Sequence, residues 1–151
     1  MSYAILIVLV LALLHFIYDG IVLPSIRLNL RNKLFKLRDD LRNHRIENPD
    51  IDDNAFRLMD DGINSVLSRL SQFTISLQME MEKELKESPE LQEYIDQRIS
   101  IIRNSDDIVL KAIHKKTNIV LEHAFIANTG AWFFYLLPIV LVVLFFKGIR
   151  I

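Results

Sequence analysis

The sequence predicts an all-α membrane protein in which two transmembrane helices flank a long-helix, coiled-coil-like cytoplasmic bundle. Long apolar runs at residues 3–26 and 131–146 predict the transmembrane helices, and the charged residues between them carry apolar side chains every three or four positions, as in helices. Composition agrees with this fold class, because 51% hydrophobic residues are many for a soluble chain whereas 25% charged residues are ordinary for one.

The first apolar run predicts transmembrane helix 1, residues 1–26. Its strongly polar side chains between Tyr3 and Ile26 are His15, Asp19 and Ser25. Roughly 20 apolar residues cross a hydrocarbon core of about 30 Å as a helix. We expect this segment to be retained rather than cleaved, because it lacks the basic n-region and the small-residue cleavage site of a signal peptide.

The second apolar run predicts transmembrane helix 2, residues 128–149. No charged residue lies between Ala131 and Phe146, and Trp132 and Tyr135 are suited to a membrane interface. The run is preceded by Asn128, Thr129 and Gly130, which predict a kink or joint just before the span.

Basic residues predict the orientation of the chain. Seven of them follow the first run closely: Arg27, Arg31, Lys33, Lys36, Arg38, Arg42 and Arg45. The positive-inside rule places residues 27–127 in the cytoplasm and both termini outside. We expect a two-pass protein of the bacterial inner membrane, in which Arg27, Arg31, Lys33 and Lys36 contact anionic lipid head groups.

Apolar spacing divides residues 27–127 into three predicted helices, at about 27–46, 53–87 and 89–127. The first has a narrow seam of leucines, Leu30, Leu34, Leu37 and Leu41. Asp52 or Asp53 is expected to cap the second helix, and Ser88 with Pro89 to open the third. Residues 104–107 are interpreted as a polar layer inside the third helix or as a break with a new N-cap, and the preserved register favours continuity.

Narrow apolar seams predict self-association. Three long helices with such seams bury little surface on their own and normally pack against another chain, so a homo-oligomer is expected. Six glutamates surround the turn between the second and third helices: Glu80, Glu82, Glu84, Glu87, Glu90 and Glu93. We expect this acidic tip to lie farthest from the membrane, either as a partner-binding surface for a cytoplasmic protein at Glu84, Glu87 and Glu90 or as a solvated loop.

His15 and Asp19 are the candidate intramembrane site. Four residues apart on a helix, they share one face, and an ionisable pair inside a membrane predicts a polar path or a proton relay. The structural alternative is that Asp19 pairs with Arg27 or a neighbouring chain, while His15 bonds a backbone carbonyl of a partner helix.

Arg38 and His44 suggest a different class of function. With five residues between them and Asp39 after the arginine, they resemble the arginine-to-histidine motif of HEPN-type ribonucleases, which are also all-helical. The resemblance implies a pair at a dimer interface, in which His44 acts as general acid or base and Arg38 holds phosphate. It covers seven residues and departs from the family in position, because the family places the motif late in a compact bundle.

The chain lacks the residues that several other classes of site require. The chain has no cysteine, no Gly-rich phosphate loop and a net charge of −1, so thiolate metal sites, nucleotide folds and nucleic-acid binding are not expected. His114, Glu122 and His123 do not have the three- or four-residue spacing of a helical metal site. We expect no enzymatic activity, no metal and no cofactor.

The layout thus predicts an oligomeric two-span protein that forms a pore or anchors a scaffold to the membrane. This layout resembles that of membrane-perturbing effectors of bacterial antiviral defence. The alternative is a HEPN-like, RNA-cleaving membrane effector that depends on Arg38 and His44.

Overall fold

The computed structural model of the protein describes residues 2–130 and Leu136, and every regular element within residues 2–130 is helical. In chain order these are α1 (Ser2–Ile17), a π-helical turn (Tyr18–Val22), α2 (Leu23–Glu47), α3 (Asp53–Arg69), a 3₁₀ turn (Leu70–Gln72), α4 (Ile75–Glu87), α5 (Pro89–Asn104) and α6 (Ile108–Thr129). The predicted all-α class is therefore confirmed. Transmembrane helix 2, predicted at 128–149, lies outside the described residues except for 128–130 and Leu136.

The first apolar run and the helix predicted at about 27–46 form one long helix. From Ile5 to Glu47 it comprises 43 residues without interruption, which corresponds to about 65 Å. Its most apolar 18-residue window has a mean hydropathy of 2.5, and none of that window is buried against the rest of the chain. By length and composition, it is the one helix among the described residues that is suited to cross a membrane.

The leucine seam of α2 forms the centre of the helical bundle. Leu34 and Leu41 are fully buried, and Leu30 and Leu37 are nearly so. The core cluster that contains this seam takes its other buried members from α3, the 3₁₀ turn, α5 and α6: Ala55, Met59, Ile63, Val66, Leu67, Leu70, Ile102, Leu110, Ile113, Val120 and Ala124. The predicted seam is confirmed, whereas α4 has no buried residue.

Polar contacts show that α3 and α6 both run antiparallel to α2. Near the end of α2, Arg45 binds Asp53 at the start of α3, and His44 contacts Asp107 just before α6. Near the start of α2, Arg27 bonds to Asn128 at the end of α6. Thus α2 lies against two helices that both run back towards the N-terminal span.

The helix predicted at 53–87 is divided into two, which corrects the sequence interpretation. It starts as predicted, with the Asp52 carboxylate accepting the Asn54 amide at 2.9 Å, but α3 ends at Arg69. Thr74 then caps α4 by accepting the Leu77 amide at 3.3 Å. The carbonyls of Leu70 and Phe73 accept hydrogen bonds from the Asn128 side chain, so a contact distant in sequence replaces the helical pattern here.

The helix predicted at 89–127 is also divided, so the preference for continuity was wrong. Ser88 caps α5 and Pro89 opens it as predicted, but α5 ends at Asn104. The Asp107 carboxylate then accepts the amides of Val109 and Leu110 at 2.8 and 3.0 Å, which is the alternative of a new N-cap.

The acidic tip is separated from one end of the bundle by the length of α5. The α2–α3 turn and the α5–α6 junction meet at one cleft, which defines the end of the bundle distant from the N-terminal span. Because α5 ends at this cleft, the Ser88–Pro89 turn lies at the other end of α5, about 24 Å back along its 16 residues.

Replacing a seam leucine tests the central position of α2. We expect Leu34→Ala to lower the free energy of unfolding by about 2–5 kcal/mol, because it leaves a cavity among buried side chains. The matched control is Ile46→Ala on the same helix, whose side chain is exposed. Stability is measured by denaturant unfolding of the detergent-solubilised protein, followed by circular dichroism. An equal loss of stability in both variants would contradict the central role of α2.

Candidate functional site

His15 and Asp19 contact each other, as the sequence spacing predicts. The Nε2 atom of His15 lies 3.2 Å from a carboxylate oxygen of Asp19, and both side chains are only partly covered. The two residues therefore share one face of the long helix.

A π-helical turn begins beside this pair. The Leu23 amide bonds to the Tyr18 carbonyl, five residues earlier, instead of the four of an α-helix. Single π turns inside α-helices occur frequently at functional sites. The sequence analysis missed this turn, although Asp19 and Gly20 are poor helix formers within an otherwise apolar run.

Two side chains of the long helix hold the end of α6. The Tyr18 hydroxyl donates to the Ala127 carbonyl at 2.6 Å, and Arg27 donates through Nε to the Asn128 side-chain oxygen at 2.9 Å. A Cβ atom at Gly130 would collide with the Tyr18 hydroxyl and lie 2.9 Å from its ring carbon Cζ. A larger residue at 130 would therefore displace the tyrosine hydroxyl from its present position.

Asn128 joins three elements at the end of the bundle nearest the apolar N-terminal segment. It accepts from Arg27 of α2, and its amide nitrogen donates to the carbonyls of Leu70 and Phe73 at 2.8 and 3.0 Å. From sequence this residue indicated only a kink or joint. The structure shows helical backbone through Thr129, so Asn128 acts as a connector between helices.

His44 and Asp107 close the opposite end of the bundle. His44 Nε2 donates to the Asp107 carboxylate at 2.7 Å, and its Nδ1 accepts from the Asn48 amide nitrogen at 3.1 Å. Partial burial raises the pKa of Asp107, but hydrogen bonds from His44 and from the amides of Leu110 and Val109 outweigh burial and hold this pKa below 3.8. An open cleft of about 510 Å³ adjoins the pair.

The two residues of the ribonuclease-like motif have separate surroundings. The Arg38 guanidinium lies over the Phe35 ring, 4.9 Å from its centre, whereas His44 is bound to Asp107. Six helical positions separate them by about 120° around α2 and about 9 Å along it. The fold therefore gives them different neighbours within one chain, and their catalytic role stays a prediction.

The remaining predicted site residues lie on the surface of the bundle. Arg31, Lys33 and Lys36 are exposed, and Lys33 and Lys36 line a cleft of about 290 Å³ with Lys116 and His123. Glu84, Glu87 and Glu90 are also exposed around the α4–α5 turn. Residues 2–130 contain no group of three or more histidine or acidic side chains placed to hold a metal ion.

Comparison with protein-family models, with curated protein sequences and with solved structures finds no match for this chain. Its function is therefore argued from the geometry of its own residues.

Removing the Asn128 connector should weaken the end of the bundle nearest the apolar N-terminal segment. We expect Asn128→Ala to lower the free energy of unfolding by about 1–3 kcal/mol, because it leaves partly buried carbonyls without a donor. Asn118→Ala is the matched control, since Asn118 is exposed on the same helix and contacts only His114. Equal unfolding midpoints for the two variants in denaturant would contradict the connector role.

The Asp107 contacts predict a loss of stability in acid. A carboxylate with a lowered pKa stabilises the folded state above 3.8, and this contribution disappears as the pH falls through the lowered pKa. Asp107→Asn keeps an N-cap but removes the charge. We expect the variant to be less stable than the parent at pH 7 and the difference to shrink as the pH falls through the lowered pKa of Asp107, as measured by unfolding at each pH. A difference in stability that stays constant with pH would contradict the role of the Asp107 charge. The control is Asp106→Asn, because Asp106 is the exposed neighbour of Asp107.

Proposed function

We propose that this chain is a non-enzymatic, oligomeric protein of the inner membrane, with two spans, both termini outside and the bundle in the cytoplasm. In this proposal the spans of several copies enclose a polar path lined by His15 and Asp19. The observation that carries it is the contact between these two side chains beside a π turn, in a helix whose most apolar window has no cover from the bundle.

An ionisable pair in a membrane helix needs a polar environment. Placing a charged side chain in the centre of a bilayer costs at least about 2.5–3.5 kcal/mol, so such residues face water-filled cavities or the interior of a helix assembly. Self-association that turns the His15 and Asp19 face towards other copies would provide this environment.

The continuous helix supports a mechanical link between bundle and path. Its cytoplasmic part carries the leucine seam at the centre of the bundle, and its N-terminal part carries His15 and Asp19. A shift of α3 or α6 against that seam would therefore be transmitted to the span. We propose that the bundle gates the path in this way, in a role comparable to that of membrane-perturbing defence effectors.

An anchoring scaffold is the other form of the proposal. There the same helix only holds the bundle at the membrane, and a cytoplasmic protein binds the exposed acidic residues Glu84, Glu87 and Glu90. We favour the path, because exposed acidic residues are common on soluble surfaces whereas an intramembrane histidine–aspartate pair is rare.

Loss of the intramembrane pair tests the proposed path. On overexpression in bacteria, we expect the parent chain to lower the membrane potential and slow growth, and Asp19→Asn and His15→Ala to change both effects. Membrane potential and uptake of a membrane-impermeant dye are measured together.

The matched control is Ser25→Ala, because Ser25 lies on the same helix and bonds only the Ile21 carbonyl of that helix. It should behave as the parent does. Potential and dye uptake that stay at the level of uninduced cells, in the parent and in all variants, would refute the path.

A further inference from the structure

The helix α4 lacks the cover that a helix of its length needs. It has 13 residues and none of them is buried. Isolated helices shorter than about 12–15 residues are marginally stable in water, so tertiary contacts normally supply their stability. The surface of α4 is therefore available for packing against a further helix.

An apolar groove runs between α4 and α6, with a volume of about 670 Å³. Seven apolar side chains line it: Phe73, Leu77, Met81, Leu85, Leu121, Phe125 and Ile126. The two charged residues that line it, Glu82 and Glu122, are both acidic. The groove is thus suited to an apolar helix face that carries positive charge.

Such a face lies on the outer side of α2. Leu28, Arg31 and Phe35 recur at three- and four-residue steps, so they share one face, and Leu28 and Phe35 are 59% and 39% exposed. The Arg38 guanidinium stacks over Phe35 at the next step. We call these four residues the basic stripe. The charged residues of the stripe are basic, whereas those of the groove are acidic.

The stripe and the groove also lie at the same height above the membrane. The bond between Arg27 and Asn128 places these two residues side by side, and α6 runs antiparallel to α2. Equal rise along the two helices then sets residues 121–126 roughly level with residues 29–34 of α2. Copies that are inserted in one membrane in the same orientation share this height, so the stripe of one copy meets the groove of the next.

We infer that the occupant of the groove is the basic stripe of a second copy of this chain, an inference that rests on the proposed oligomeric function. Phe35 and Leu28 insert among Leu77, Met81 and Phe125, while Arg31 and Arg38 face the acidic rim. The contact is heterologous, because stripe and groove are different surfaces of the molecule. Repetition of a heterologous contact about an axis closes a ring, as a central path requires. An anionic membrane surface is a less suitable occupant of the groove, because it would repel the acidic residues of the groove.

Cysteine cross-linking in native membranes tests this contact, because the natural sequence contains no cysteine. Two differently tagged full-length chains are co-expressed, one with Phe35→Cys and the other with Met81→Cys. After mild oxidation we expect a covalent dimer that contains both tags. Neither variant expressed alone should form it, since disulfides need Cα atoms within about 7 Å and each lone variant has only half of the contact.

Met79→Cys in place of Met81→Cys is the matched control. Met79 lies on the same helix and is 66% exposed, but it does not line the groove. We expect several-fold less mixed dimer with this variant. Equal yields from Met79→Cys and Met81→Cys, or dimers from Phe35→Cys alone, would overturn the contact.

Native mass spectrometry of the solubilised parent separates failure of this contact from failure of the proposed function. An oligomer without the mixed cross-link would overturn the stripe-to-groove contact and leave oligomerisation intact. A monomer without the cross-link would overturn both.

Discussion

Burial of one side of α2 is the constraint on which the rest of the structure depends. Leu30, Leu34, Leu37 and Leu41 lie in the core cluster with side chains of α3 and α6, and the same helix continues without a break into the apolar N-terminal segment. No flexible linker separates the bundle from this apolar segment. The orientation of the bundle relative to that segment is therefore set by side-chain packing.

Polar contacts at the two ends of the bundle fix the register of this packing. Apolar seams alone tolerate sliding by one heptad, because leucines at successive turns present similar surfaces. Asn128 at one end and the His44–Asp107 pair at the other are specific to one alignment of α6 against α2. Since Asn128 also binds the carbonyls of Leu70 and Phe73, it sets the point at which α3 ends.

Local patterns in the sequence predicted the features that are local in the structure. The leucine seam, the Asp52 and Ser88 caps and the contact between His15 and Asp19 all depend on residues a few positions apart. The break after Arg69 was missed, and it is stabilised by a partner distant in the chain, Asn128. The break after Asn104 was one of two alternatives, but the preserved register favoured continuity, and the contact of Asp107 with His44 is distant in the chain. Helical periodicity continues through both breaks and so did not favour either.

The π turn at Tyr18–Val22 changes the rotational alignment of the two helix segments that it joins. Relative to an unbroken α-helix, one additional residue in a turn rotates everything before it by about 100° around the axis. The face of the apolar segment that carries His15 is thereby set independently of the face that carries the leucines. Gain or loss of a single residue at this turn would rotate the apolar segment against the bundle and leave the leucine core as it is.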